Sequence, residues 1–407
     1  MRWLIGFSIA CLLWFSLMPL GAWLAGDPFK EPLRVLPRLE RIEPLNHVWP
    51  YLIGQAWRST GKGREAERSF IMALKLNPID SGVWASLADL YVDRGRKEEA
   101  FLALKNAAFL EPLDVAVQWG VLVRLMALDL PQARDTVQAI VSRLIFLDPT
   151  NRRNLFALAQ MVAENGEAEA LLPHDRDVWR SYLLWLITKG KVRKAYDVWN
   201  KLGDLGWRDR RLFKRVVNGF LAKKSYPLAR KVWLEEFPGD LFVHNGGFER
   251  DILDFGFGWR FSSRIPGLKS WSYAGREWVE GRRSFFMEFD GESNPYVAWP
   301  RQPVYLDTPG TYRLSAYVKT EGVTGASGFS IRVWGRGVRA RSKEVKGYST
   351  WRWLKVVFKV REPGLYWVGL FRPSTRKFNK FLGGRVWIDQ VRLEKVDEEE
   401  VPLGNSG

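Results

Sequence analysis

The sequence is nearly without the residues that build thiol and metal chemistry. Its one cysteine, Cys11, sits inside an apolar N-terminal run, so no disulfide can form within the chain. Its three histidines, His47, His174 and His244, have no ligand-like spacing to one another or to the cysteine, which argues against a zinc site. There is no phosphate loop, no Gly-x-Ser-x-Gly elbow and no dinucleotide fingerprint. Glycoside hydrolysis needs two placed carboxylates. The available pair, Glu288 and Asp290, falls on one face of one strand by alternation, which fits an exposed edge better than an active site. No catalytic residue, and no enzyme, is expected.

What the chain has in excess is positive charge and tryptophan. The formal charge is +17, and the 21 Trp are spread evenly enough that their density marks no particular region. The charge is less even. Residues 1–240 carry 35 Lys and Arg against 27 Asp and Glu, whereas 241–396 carry 27 against 14, so the C-terminal half calls for an anionic neighbour more strongly. An acidic cluster, Asp397 to Glu400, opens a short tail over 397–407.

Arg2 is followed by an uncharged run from Trp3 to Gly26. As a helix it would reach roughly 36 Å, enough to cross a hydrocarbon layer of about 30 Å. A cleaved signal peptide begins the same way, with Pro19 ahead of small residues. Residues 1–26 therefore read as a transmembrane anchor or a signal peptide. Either reading places the body outside the cytoplasm of a bacterial envelope, anchored in the inner membrane or secreted to the periplasm. In that setting no nucleic acid is expected as a partner. Residues 27–46, with Pro28, Pro32, Pro37 and Pro44, read as an extended linker.

From His47 the chain repeats. Gly54, Trp57, Gly61, Ala66, Phe70, Ala73 and Pro78 recur 34 residues later as Ala88, Tyr91, Gly95, Ala100, Leu104, Ala107 and Pro112. Small residues at these offsets let paired helices approach, and large ones fill the space between them. The period loosens after Pro112, breaks at Pro173, and returns with Ala195 and Trp199, matched 34 residues on by Ala229 and Trp233. This pattern resembles the tetratricopeptide repeat over residues 47–240. The resemblance implies an α-solenoid of helix pairs that serves as a scaffold for a protein partner.

After Pro238-Gly239 the texture changes to short alternating runs separated by Gly, Pro, Ser and Asn. Ser284–Asp290, Tyr312–Lys319, Phe329–Val333, Leu354–Val360, Leu365–Phe371 and Arg385–Leu393 read as strands. A slip between Ile388 and Val391 predicts a bulge. The set argues for an antiparallel β-sandwich over 241–396. Asn245-Gly246-Gly247-Phe248-Glu249, then Trp259, then Pro309 to Thr320, then Val386-Trp387-Ile388-Asp389, resembles the carbohydrate-binding type of galactose-binding-like jelly roll. On that resemblance Asn245–Glu249 is the first strand. Glu249 and Asp389 would then help hold a structural Ca²⁺, which wants six to eight oxygens.

Sugar binding in such a fold stacks aromatic rings on pyranose faces. With Tyr312, Leu314, Ala316 and Val318 facing the core, Tyr317 and Lys319 point outward, as do Arg332 and Trp334. One pleated surface carrying all four is the expected ligand site. Arg336, Arg339, Arg341, Lys343 and Lys346, and a second loop with Arg372, Arg376, Lys377 and Lys380, are further contacts for phosphate or uronate. The expectation is a non-catalytic envelope scaffold. Its helices bind protein and its sandwich binds an acidic polysaccharide, as in exopolysaccharide assembly or export. The alternatives are a purely structural protein-protein adaptor without glycan binding and, behind it, a glycan-processing enzyme.

Overall fold

The computed structural model describes residues 32–239, 242–273 and 277–397. The expected anchor or signal segment with Cys11 lies outside these residues, as does the acidic tail beyond Asp397. Among the described residues no helix is long and apolar enough to cross a membrane. The chain divides into two compact units, one ending at Tyr182 and the other beginning at Leu183.

The first unit is built from helix pairs. Its helices are α1 (Pro32–Ile42), α2 (Val48–Ser59), α3 (Gly63–Leu76), α4 (Ser81–Asp93), α5 (Lys97–Leu110), α6 (Val115–Leu128), α7 (Arg134–Leu147) and α8 (Arg152–Val162). The 34-residue period is visible in both packing and caps. A Cβ on Gly54 would lie 2.6 Å from the Phe70 ring, so α2 and α3 meet at their observed distance only because this position is glycine. Asp80 and Asp114, 34 residues apart, each accept a bond from the backbone N–H three residues on, at 3.1 and 2.9 Å, and start α4 and α6. Where the period loosens after Pro112, a 3₁₀ turn, Pro131–Ala133, follows α6 and is entered through Asp129 with a left-handed backbone.

One expectation fails here. The segment read as an extended linker holds α1, with Val35, Leu36 and Leu39 buried against Ile53. These residues lie on one face of a 3.6-residue period, and that periodicity outweighs a proline within the helix, Pro37.

The second unit begins inside α9 (Arg176–Thr188). It continues through α10 (Val192–Asp204), α11 (Arg210–Ala222) and α12 (Tyr226–Glu236) into the strands. The charge-rich stretch from Arg208 is structural in large part. Arg208 lies 4.1 Å over the Trp199 ring and pairs with Glu235 at 2.7 Å, and Asp209 caps α11. The last two helices pack without a break against the loop segment 242–259. Trp233, wholly buried, meets Phe237, His244, Phe255 and Phe257 at centroid distances of 4.6 to 5.8 Å. Gly256 donates its N–H to the Asn218 side chain at 2.9 Å, and a Cβ there would come within 2.4 Å of the Trp233 ring. The domain boundary expected at residue 240 is therefore not a boundary of packing.

The strands are β1 (Leu268–Ser272), β2 (Phe285–Asp290), β3 (Arg301–Leu306), β4 (Gly310–Val323), β5 (Ser330–Gly335), β6 (Val338–Arg341), β7 (Gly347–Val360), β8 (Gly364–Phe371) and β9 (Gly383–Val396). They form two antiparallel sheets, β1-β2-β9-β4-β7 and β3-β8-β5-β6. The core between them takes Phe285 and Met287 of β2, Tyr312 to Val318 on alternate positions of β4, Ile331 and Val333 of β5, and Tyr366, Val368 and Leu370 of β8. The bulge predicted in β9 is present. The β4–β9 register slips between Ser315 and Tyr317, opposite Gln390 with its positive φ. Asn245–Glu249, read as the first strand, is a turn with Asn245 and Phe248 both at positive φ. It is tied to β9 by the Gly246 carbonyl, which accepts from Val391 N–H at 2.9 Å. Phe248 and Trp259 fill the core below it at 5.0 Å, so the motif serves the fold.

Candidate functional site

The four residues expected on one surface occupy two. Tyr317 and Lys319 lie on β4 in the five-stranded sheet, and Arg332 and Trp334 lie on β5 in the four-stranded sheet. Both pairs face outward, on opposite sides of the sandwich. Alternation within a strand fixes which residues point out; it carries no information about which sheet the strand joins.

The β4 side is electrically satisfied. Lys319 pairs with Glu277 and, at 2.8 Å, with Glu321, and it lies 5.0 Å from the Trp387 ring. Burial works to lower the Lys319 pKa, and the hydrogen bonds from Glu277 and Glu321 outweigh it, so the amine is held charged and occupied. An incoming anion would have to displace two carboxylates.

The β5 side is different. Strand register sets Arg301, Gly369 and Arg332 in one row across β3, β8 and β5, with Trp367 and Trp334 paired in the row beside it. The Trp334 and Trp367 rings stack at 6.3 Å and 16°. Arg301 lies 4.0 Å from the Trp299 ring and 4.8 Å from the Trp367 ring. Arg332 lies 5.2 Å from Trp334 and 4.5 Å from Phe371, and donates to the Tyr296 hydroxyl at 2.9 Å. Cations and ring faces thus alternate along the sheet, an arrangement held by quadrupole attraction. A Cβ on Gly369 would come within 2.3 Å of the Pro300 carbonyl, so glycine is what lets β3 approach β8 here.

Among the described residues neither Arg301 nor Arg332 has a carboxylate partner. Burial lowers the Arg301 pKa, and its Nε is buried without a hydrogen bond. Guanidinium has donors only, in a planar fork matched to carboxylate and phosphate. A sugar stacking on Trp367 or Trp334 would share the ring with the guanidinium over it, and the fork, which has no carboxylate partner, could take an oxyanion on the same sugar.

Of this array, Arg332 and Trp334 were predicted. Trp367 was within reach, because Tyr366, Val368 and Leu370 face the core and put Trp367 outside. Arg301 was missed because β3 was missed. Its buried Gln302 and its Pro303 spoil alternation, and proline is tolerated there because β3 is an edge strand.

Arg372, expected as a ligand contact, is fully buried and donates to the carbonyls of Pro295, Lys380 and Ser327. Glu288, half of the pair considered for hydrolysis, accepts from Ser270 and Arg385.

Glu249 and Asp389 converge on one loop, whose amides donate to one oxygen of each. Glu249 accepts from the N–H groups of Arg282 and Arg283 at 2.9 and 3.1 Å. Asp389, wholly buried, accepts from Val279 at 2.8 Å, Glu280 at 3.5 Å and Gln390 at 2.7 Å. Among the described residues no group of three or more His, Cys, Asp or Glu side chains comes together to hold a metal ion. Two carboxylates aimed at N–H donors do not fit a cation that wants six to eight oxygens.

The electrostatics provide a test. Burial pushes the Asp389 carboxyl above its usual range; the three amides hold it back, and the neighbouring Glu249 charge adds to the rise. A raised folded pKa means that this group's contribution to stability is present at pH below the ordinary aspartate value. It is lost as pH rises through the raised value. EDTA is expected to leave the melting temperature unchanged, and Asp389→Asn to flatten its fall with rising pH. A bound Ca²⁺ would invert both, and a melting temperature that climbs with added Ca²⁺ would restore the metal.

No family model matches the chain, and no curated protein matches it. Among solved structures it is similar to TmCBM61, determined in complex with β-1,4-galactotriose, at 20% identity over 38% of this chain and 97% of that one, with a TM-score of 0.29. It is similar to the MamA protein at 16% identity over 49% of this chain and 98% of that one, with a TM-score of 0.23. It is also similar to YrrB, a TPR protein with an unusual peptide-binding site, at 10% identity over 51% of this chain and 94% of that one, with a TM-score of 0.24.

Proposed function

We propose that the protein is a non-catalytic scaffold of the bacterial envelope whose sandwich binds an acidic polysaccharide and whose helices bind a protein partner, in the assembly or export of an exopolysaccharide. The observation that carries the sugar half is the array of Arg301, Trp367, Trp334 and Arg332 on the outer face of the four-stranded sheet. Its rings supply apolar faces and its guanidiniums supply oxyanion donors with no carboxylate of their own among the described residues. The helical half is supported by exposed apolar residues. Leu102 and Phe109, one helical face of α5, are 57% and 79% exposed where solvated residues would be polar.

Acidic and neutral oligosaccharides titrated into the full chain test the reading. Binding is expected for acidic chains, weakening with salt. Trp334→Ala and Trp367→Ala are each expected to cost about 2 kcal/mol, roughly thirtyfold in affinity, as a central aromatic anchor does. If no acidic glycan binds at low salt, the array is internal packing and the protein is a structural adaptor.

A further inference from the structure

A second basic feature lies beside the array. It is a cleft of ≈ 590 Å³ lined by Arg336, Arg339, Lys359 and Arg361, with one carboxylate, Glu362. We infer that this cleft binds an oxyanion-bearing sugar unit, as a subsite next to the aromatic array for the same polysaccharide chain. The inference rests on the sugar-binding reading for the identity of the ligand; the anion preference stands on the cleft alone.

The position follows from topology. β6 is the last strand of the four-stranded sheet and β7 the last of the five-stranded sheet, so the cleft opens where the two sheets part at one side of the sandwich. Lys and Arg commonly guard exposed sheet edges against pairing with other chains. Guard charges alone would be strung along the edges. These come from the β5–β6 turn, β6, the end of β7 and the loop after it, and they surround one hollow.

Glu362 is committed to Arg336 at 3.4 Å. Among the described residues Arg339 and Arg361 have no acidic partner. The lining also includes Val338, Ala340 and Val357, and of these Val338 and Ala340 are partly buried against the sandwich core. An apolar lining with cationic walls suits a sugar ring carrying a carboxylate or sulfate better than a bare, hydrated ion. The volume is in the range of small-ligand sites.

Register supplies the continuity. Trp334 on β5 is the direct partner of Arg339 on β6. A chain stacked on Trp334 and Trp367 would pass Arg339 with its next units, and one further step along the strand direction reaches Arg336 and Arg361.

The experiment uses the full chain at low salt and measures affinity for oligogalacturonates of two and of six units, for a sulfated oligosaccharide of similar length, and for inorganic phosphate. The double variant Arg339→Ala/Arg361→Ala changes exposed side chains only and should leave the melting temperature in place. It is expected to lose at least about tenfold for the six-unit chain, the scale of one or two charge-assisted hydrogen bonds, with little change for the two-unit chain. The sulfated arm says which oxyanion is preferred, and either preference supports the subsite. Unchanged affinity for both long acidic chains overturns it. If the arginine variant loses affinity while Trp334→Ala and Trp367→Ala do not, the cleft stands and the aromatic reading falls. If only the tryptophan variants lose affinity, the reverse holds. Phosphate binding as tight as the long chain and equally sensitive to the arginine variant would mark a simple anion hole and overturn the sugar subsite.

Discussion

Cutting the chain at residue 241 is expected to yield a sandwich that unfolds or aggregates, whereas a fragment of residues 176–397, which keeps α9 whole, is expected to fold. The reason is Trp233. Its ring is wholly buried, and four of the partners that enclose it are Phe237, His244, Phe255 and Phe257. Phe213 adds an edge-to-face contact with Phe255 at 5.9 Å. Removing the helices exposes Phe255 and Phe257 and leaves the Gly256 N–H without the Asn218 oxygen. In the intact chain Trp233→Ala is expected to cost about 3–5 kcal/mol, the usual figure for emptying a buried aromatic site. For a unit of this size that lowers the melting temperature by roughly 6–20 °C. Circular dichroism on the two fragments and thermal melts of the variant decide it. A well-folded 241–396 fragment with native-like near-ultraviolet signal would show that the aromatic cluster is dispensable.

That boundary was not legible because the repeat period and the packing unit are different things. Ala195 with Ala229, and Trp199 with Trp233, mark a 34-residue period that runs up to the strands, so the period assigns Trp233 to the helices. It says nothing of what covers the other side of the ring. Strands whose alternation is clean, such as β4 and β8, were placed to within a few residues, and the β9 bulge was readable from the slip after Ile388. The three strands left out, β1, β3 and β6, are all at sheet edges, where burial on one face is incomplete and the period-2 signal fades. The linker reading failed for a related reason. Four prolines in twenty residues mask the buried face formed by Val35, Leu36 and Leu39. For the site, residue types were legible and placement was not. Arg332 and Trp334 do share one outer face, Tyr317 and Lys319 lie on the other sheet, and Arg301, in the sheet of the first pair, sits on a strand that the sequence pattern does not show.

Arg372 is the other position with a large expected effect, and it separates a structural arginine from one proposed to bind. Its side chain is fully buried in a protein with a surplus of exposed arginines. Nη1 donates to the Pro295 carbonyl at 2.7 Å and to Asn294 at 3.4 Å, Nη2 to the Lys380 carbonyl at 3.1 Å, and Nε to the Ser327 carbonyl at 3.3 Å. One guanidinium therefore joins three loops that are remote in sequence. Burial lowers its pKa, but from so high a starting value that the group stays charged at neutral pH. Arg372→Ala would strand the buried Pro295 carbonyl, at about 1–3 kcal/mol, and leave the part-buried Ser327 and Lys380 carbonyls to water. A destabilisation of about 2–4 kcal/mol is expected, from the stranded carbonyl and the emptied side-chain volume together. Arg372→Lys should recover little of this, since an ammonium cannot reproduce the planar fork across three acceptors. The discriminating comparison is with Arg332, which sits on the surface array. Arg332→Ala should lower acidic-glycan affinity with little change in melting temperature. Arg372→Ala should lower the melting temperature and, measured in the cold where it remains folded, leave affinity near that of the parent. If Arg372→Ala lost binding while keeping its stability, the loop it anchors would be part of the ligand site after all.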